Sequence, residues 1–277
     1  MTSHDVVSRC RRIFGQRRVG HGGTLDPGAT GVLVVALGQA TRLLRFLSEL
    51  PKSYEGEIVL GVETTTLDDE GEITATHDMS AVTLDEVRAA TVSLTGHIDQ
   101  VPPMVSAVKV GGRRLHELAR AGIEVERAPR PVVVHRFDIE HGDQIGVIRI
   151  AVDCSSGTYV RVLAADLGAA LGGGAHLRKL RRTAVGPFSL NEARPLDDHL
   201  SVTDVLPPTD AVCHLDQVTV SPEARSAVTH GAALDRATAA LTGAGPWAVL
   251  DGSGALLAVY EAKDDTSAKP AVVLSGQ

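Results

Sequence analysis

Residues 20–37, GHGGTLDPGATGVLVVAL, constrain this chain more than any other stretch. Five of the twelve residues from Gly20 to Gly31 are glycine. That density suits a loop with positive φ angles and close backbone approach to a ligand. One acid, Asp26, sits inside it, and Pro27 biases Asp26 towards extended geometry. The carboxylate is therefore expected to stand out from a stiff turn. Residues 32–37 form an unbroken apolar run of strand length, the pattern of a strand buried on both faces. No Gly-Lys-Ser/Thr ending and no strand–GxGxxG–helix order is present, which argues against a phosphate-binding loop. An Asp before Pro is by itself an ordinary turn residue.

The 277 residues are enough for one large domain and one small one. Strand and helix patterns mix without regular βαβ alternation, which gives an α+β class. No signal peptide is evident, and no apolar run approaches the ~18 residues of a membrane span. Cys10, Cys154 and Cys213 lie far apart without CxxC spacing, which argues against zinc and for a reducing cytoplasm. The net charge of −7 is uneven. Residues 197–277 hold four Lys+Arg and eleven Asp+Glu, whereas residues 1–196 hold 23 of each. Within the neutral part, bases cluster at Arg9, Arg11, Arg12, Arg17 and Arg18, at Arg113, Arg114 and Arg120, and at Arg178, Lys179, Arg181 and Arg182. Such clusters can contact phosphates, although each can also be a solvated face.

Along the chain, Thr2 with Asp5 approximates a capping box, and Thr83 with Glu86 forms one for a helix to about Leu94. Residues 39–50 read as a helix with Leu43, Leu44 and Leu47 inward and Arg42 and Arg45 outward. Residues 54–62 read as a strand, and residues 132–140 and 147–153 alternate as a hairpin. Residues 154–161, CSSGTYVR, leave that hairpin and open a helix to about Leu171. Beyond about Leu196 the pattern turns to short strands with glycine turns, a small β-rich module.

Residues 20–31 carry the pattern G-H-x-G-x-L-D-P-x-A-T-G and resemble the TruB family of tRNA pseudouridine synthases. Residues 100–109 (Q-x-P-x-x-S-A-x-K-like), 154–161 (C-S-x-G-T-Y-[IV]-R) and 175–182 resemble further family segments in the same order. The resemblance implies a large, mainly antiparallel mixed sheet with flanking helices in a catalytic domain over 1–200, and a reduced PUA-like domain over 210–277. It also implies an N-terminal strand ahead of residues matching 1–5, which this sequence lacks. The implied reaction isomerises uridine 55 of the tRNA T loop to pseudouridine. It needs no cofactor and no metal, no membrane and no protein partner, and the expected form is a cytoplasmic monomer.

The same resemblance makes Asp26 the essential catalytic residue, with Arg161 its guanidinium partner. Tyr54 is expected to stack on the flipped base and assist proton transfer, and Tyr159 to line the pocket. His21 is matched to a T-loop contact, Leu180 to the uracil pocket, and Arg42 to a position where many members have lysine, keeping the cation but changing its geometry. Without the motifs, these would read as core tyrosines, a plain core leucine and surface residues. A binding-only protein on the same scaffold would have no use for Asp26, Tyr54 and Arg161 together. A ribosomal or guide-directed specificity fits less well with the short chain and reduced C-terminal module. A sugar-cleaving hydrolase would need a second acid, and none is evident in sequence near Asp26.

Overall fold

The computed structural model of the protein describes residues 1–106 and 108–274. Ala107 of the 100–109 segment, and the last three residues of the expected C-terminal domain, lie outside the described residues. The chain forms two compact units, and they are not the linear pair expected from sequence. One holds residues 25–32 and 50–191; the other holds 1–24, 33–49 and 192–277. The boundary expected between 200 and 210 is therefore replaced by a chain that leaves one unit and returns to it.

The first unit is built on a seven-stranded sheet. Its long strands are β1 (Lys52–Leu60), β2 (Gly96–Gln100), β3 (Arg130–His141), β4 (Val147–Cys154) and β5 (Ala175–Val185). They lie in the order β5-β1-β4-β3-β2, all antiparallel. The strand Phe188–Ser189 extends the β5 edge, and Thr30–Gly31 pairs with β5 in parallel. The expected hairpin is β3–β4. Val134, Val152, Ile58 and Leu163 are wholly buried in one core formed by the sheet and the helices Val160–Ala170 and Leu84–Ser93. Each such side chain contributes about 1.5–3 kcal/mol. The Thr83–Glu86 capping box is present, and its helix runs Leu84–Ser93.

The second unit contains a five-stranded sheet of Asp216–Thr219, Leu234–Asp235, Trp247–Leu250, Leu256–Ala262 and Ser267–Val273. This is the small β-rich module expected from sequence. Its core includes Trp247, Val249, Ala258 and Tyr260. Leu43 joins Val212, Leu250 and Val259 in a further cluster, so residues 33–49 pack with the C-terminal strands. That shared core is why the unit is discontinuous in sequence. The capping box at Thr2 is present and opens the helix Ser3–Ile13.

Two local expectations change. Only Val35–Leu37 of the apolar run is strand, half-buried and antiparallel to Val19–His21. Gly31 at φ +100° breaks the run, and Val32 bonds instead to β5. Residues 39–50 are not one α-helix but a 3₁₀ turn, Gly38–Leu43, followed by a short helix, Leu44–Ser48. Leu43 and Leu47 still point inward and Arg42 and Arg45 outward.

Candidate active site

Asp26, Pro27, Gly28 and Ala29 form a turn closed by the bond from the Ala29 amide to the Asp26 carbonyl at 2.9 Å. This is the chemistry expected of Asp at the first turn position and Pro at the second. The turn is tied down on its C-terminal side. Thr30–Gly31 pairs with Arg181–Arg182, and the Val32 amide donates to the Arg182 carbonyl at 2.8 Å. A Cβ at Gly31 would lie 2.1 Å from that carbonyl oxygen, so only glycine permits this approach.

The Asp26 carboxylate meets Arg161 side-on. Arg161 Nε lies 2.9 Å from Oδ2, and Nη2 donates to Oδ1 at 3.3 Å. The guanidinium is 4% exposed and the carboxylate 42% exposed. Arg161 also donates to the carbonyls of Thr66 and Val105, each at 3.0 Å. Its orientation is thus set by the first turn of the helix Val160–Ala170 and by two loops. The pair sets a buried cation against the acid and leaves one side of the carboxylate open, the requirement for a carboxylate that must react.

A second acid shares this guanidinium. Asp68 Oδ2 lies 3.4 Å from Arg161 Nη1 and is 20% exposed. The expectation of no second acid near Asp26 is corrected: Asp68 arrives from a distant turn that bridges to Leu177 of β5. Thr66 and the Glu70 amide both donate to its Oδ1.

Tyr54 lies on β1, opposite Val152 on β4 and Arg182 on β5. It is buried in the large core. Burial raises its phenol pKa; the Arg182 charge and a hydrogen bond from Arg182 oppose that rise, and the Asp26 charge adds to it. Asp26 and Tyr54 therefore interact electrostatically. Leu180 faces Gly56 on β1 and packs partly buried against the same core. Tyr159 caps the helix Val160–Ala170 and is half-buried. Its backbone is held both ways by buried Gln100, whose Oε1 accepts from the Tyr159 amide at 2.9 Å and whose Nε2 donates to the Tyr159 carbonyl at 3.3 Å.

Asp26, Arg161, Tyr54, Tyr159 and Leu180 thus belong to one compact unit. His21 and Arg42 belong to the other. His21 pairs with Val35, and Arg42 donates to the Val273 carbonyl at 2.6 Å. The basic run at 178–182 is not a continuous phosphate-facing patch. Arg178 and Lys179 both pair with Glu57, and Arg182 is 1% exposed, with Nε donating to the Val32 carbonyl at 2.8 Å. Asp68 was missed because no local motif marks it; Gln100 and Arg182 fall inside the segments 100–109 and 175–182, but only the strand register shows what they hold.

Comparison with known proteins gives the family. Residues 11–160 match the model for the N-terminal domain of "TruB family pseudouridylate synthase", and residues 161–207 match that for "tRNA pseudouridylate synthase B C-terminal domain". Fold and matched segments together define a pseudouridylate synthase. A Mycobacterium protein (strain KMS) named tRNA pseudouridine synthase B is 48% identical over 266 residues, covering 94% of this chain and 88% of its own. A Rhodococcus jostii protein of the same name is 55% identical over 201 residues, covering 71% and 66%. The chain belongs to the TruB family. Among solved structures, that titled "Crystal Structure of a Cbf5-Nop10-Gar1 Complex" aligns at TM-score 0.72 and 27% identity, over all of this chain and 81% of the other.

Proposed function

We propose that this enzyme converts uridine 55 in the T loop of tRNA to pseudouridine, with Asp26 as its essential catalytic residue. One observation carries the reading: a half-exposed carboxylate on a rigid turn is gripped side-on by a buried guanidinium. The reaction breaks the N1–C1′ bond, turns the uracil and rejoins it through C5, with the C5 proton lost and N1 protonated. Asp26 can attack C1′, add to the ring or remove a sugar proton, and each route uses an ionised carboxylate. Arg161 aims that carboxylate and places a positive charge beside it. Tyr54 offers the aromatic face for the flipped uracil, with Tyr159 and Leu180 as walls.

The tRNA substrate is inferred from the names of the relatives. Recognition falls to shape and phosphates, as RNA generally requires. His21 is assigned to the T loop and Arg42 to the backbone. Arg11, Arg12 and Arg17 line an open concavity of about 600 Å³ and, with Arg18, face solvent with no ion pair to an acid among the described residues. They are better placed for phosphate contact than residues 178–182. We read the 210–277 region as PUA-like, and the enzyme as a cytoplasmic monomer acting without a protein partner.

The test is pseudouridine mapping of a T-arm hairpin after incubation with the wild type and with Asp26→Asn. Conversion at the T-loop uridine by the wild type, and a loss of at least about 10³-fold in the variant with hairpin affinity kept, is expected. Conversion by Asp26→Asn at an undiminished rate would falsify the role of Asp26. Binding without conversion by the wild type would return the protein to the binding-only class.

A further inference from the structure

Arg182 is among the most deeply buried large side chains of the described residues, at 1% exposure. A guanidinium so far from water is costly unless its geometry serves something. Burial holds the amine of Lys52 down to about 8, and the Arg182 charge lowers it in the same direction. Two mutually repelling cations are a poor way to stabilise a sheet, since apolar side chains of similar volume would fill the same space.

What Arg182 does connect is specific. Its carbonyl accepts from the Val32 amide, and its Nε donates back to the Val32 carbonyl, both at 2.8 Å. Its backbone pairs with Gly31, where nothing larger than glycine fits. Its side chain also stands directly across from Tyr54 on β1, where its charge opposes the rise that burial imposes on the phenol pKa. One residue thus clamps the end of the Asp26 turn and, from the facing strand position, flanks the phenol expected under the uracil. A guanidinium can do both because it combines fixed donors with a delocalised charge; an ammonium is a point charge.

We propose that Arg182 is a positioning residue of the isomerisation, holding the Asp26 loop and the Tyr54 hydroxyl in register with each other. The inference rests on the proposed reaction. Because Arg182 is out of reach of solvent, it contributes to turnover and not to phosphate contact, unlike an exposed arginine of a basic patch.

The experiment compares wild type, Asp26→Asn, Arg182→Lys and Arg182→Met in single-turnover conversion and in equilibrium binding of the T-arm hairpin at several salt concentrations. Arg182→Met is expected to slow conversion by at least about 30-fold and Arg182→Lys by about tenfold. Affinity and its salt dependence should stay within about threefold in both. An ultraviolet difference titration, with Tyr54→Phe as the blank, gives a second readout. The Tyr54 phenol should titrate at higher pH in Arg182→Met, where the neighbouring charge is gone.

Conversion by Arg182→Met within threefold of wild type would overturn the proposal. So would a parallel loss of rate and affinity, an unmoved phenol titration, or failure of both variants to fold. If only Arg182→Met fails to fold, Arg182→Lys decides: slower conversion at kept affinity supports the role, and unchanged conversion overturns it. A wild type that does not convert the hairpin would break the function reading instead. The phenol titration needs no turnover and would still show whether the Arg182 charge acts on Tyr54.

Discussion

The two compact units solve burial differently. Every buried charged side chain among the described residues, namely Lys52, Arg161 and Arg182, belongs to the unit that carries Asp26. Gln100 and His176 are buried there too; His176 is held between the Val62 carbonyl and Asp69. The other unit fills its core with Trp247, Val249, Ala258 and Val259, and Tyr260 satisfies its one polar atom on the Ala232 carbonyl. No acid is fully buried in it among the described residues. Asp264 and Asp251 accept from nearby hydroxyls and amides, which lowers their pKa values. An apolar core yields stability alone. Buried cations cost stability, so where they persist they mark a place where orientation matters more.

Four substitutions would break or sharpen that contrast. Arg161→Lys has the largest expected effect. It removes the side-on grip on Asp26 and should lower turnover by about 10³-fold, or about 4 kcal/mol of barrier, while hairpin affinity stays within threefold. Single-turnover rates check this, and equal rates would show that a point charge suffices. Trp247→Ala should act in the opposite sense. The side chain is wholly buried, so about 3 kcal/mol of stability goes by urea titration, while the rate per folded molecule is kept. A selective loss of turnover would mean that this core is not merely structural.

Gly31→Ala comes next. A positive φ and a carbonyl 2.1 Å from the new Cβ should cost about 1–3 kcal/mol and slow conversion as the Asp26 loop shifts. An unchanged melting temperature would show that the loop relaxes freely. Lys52→Met is the smallest. Burial holds the Lys52 amine at about 8 rather than 10.5, so above pH 8 the unfolded chain binds a proton that the native one does not. Wild-type stability should therefore rise from pH 8 to 9 relative to Lys52→Met, by about 1 kcal/mol. Buried Cys154 keeps its proton up to about 11 while the unfolded thiol loses it, which lowers stability above pH 9 in both proteins alike and leaves the comparison to Lys52. Parallel pH profiles for the two proteins would show that Lys52 is fully solvated in the native state.

Local features of the fold were legible in the chain. The capping boxes at Thr2 and Thr83 formed as read, because a cap needs only residues three apart. The hairpin of β3 and β4 followed from alternation, and the Asp26 turn from Asp-Pro-Gly chemistry. The apolar run 32–37 misled because composition does not report that Gly31 turns the chain there. The arginines at 178–182 misled because adjacent strand residues face opposite ways, so one run supplies exposed Arg181 and buried Arg182.

The sequence by itself determined the class of the protein, through segments that resemble one family in the same order, and the turn that presents Asp26. The turn follows from local Asp-Pro-Gly chemistry, which survives any arrangement of the rest. Tertiary structure alone decided that Asp68 joins Asp26 on one guanidinium, that Gln100 holds Tyr159, and that Arg182 reaches both Val32 and Tyr54. It also decided that residues 33–49 share a core with the C-terminal strands. Strand register and long-range burial set these contacts, and neither is written in any single segment of the chain.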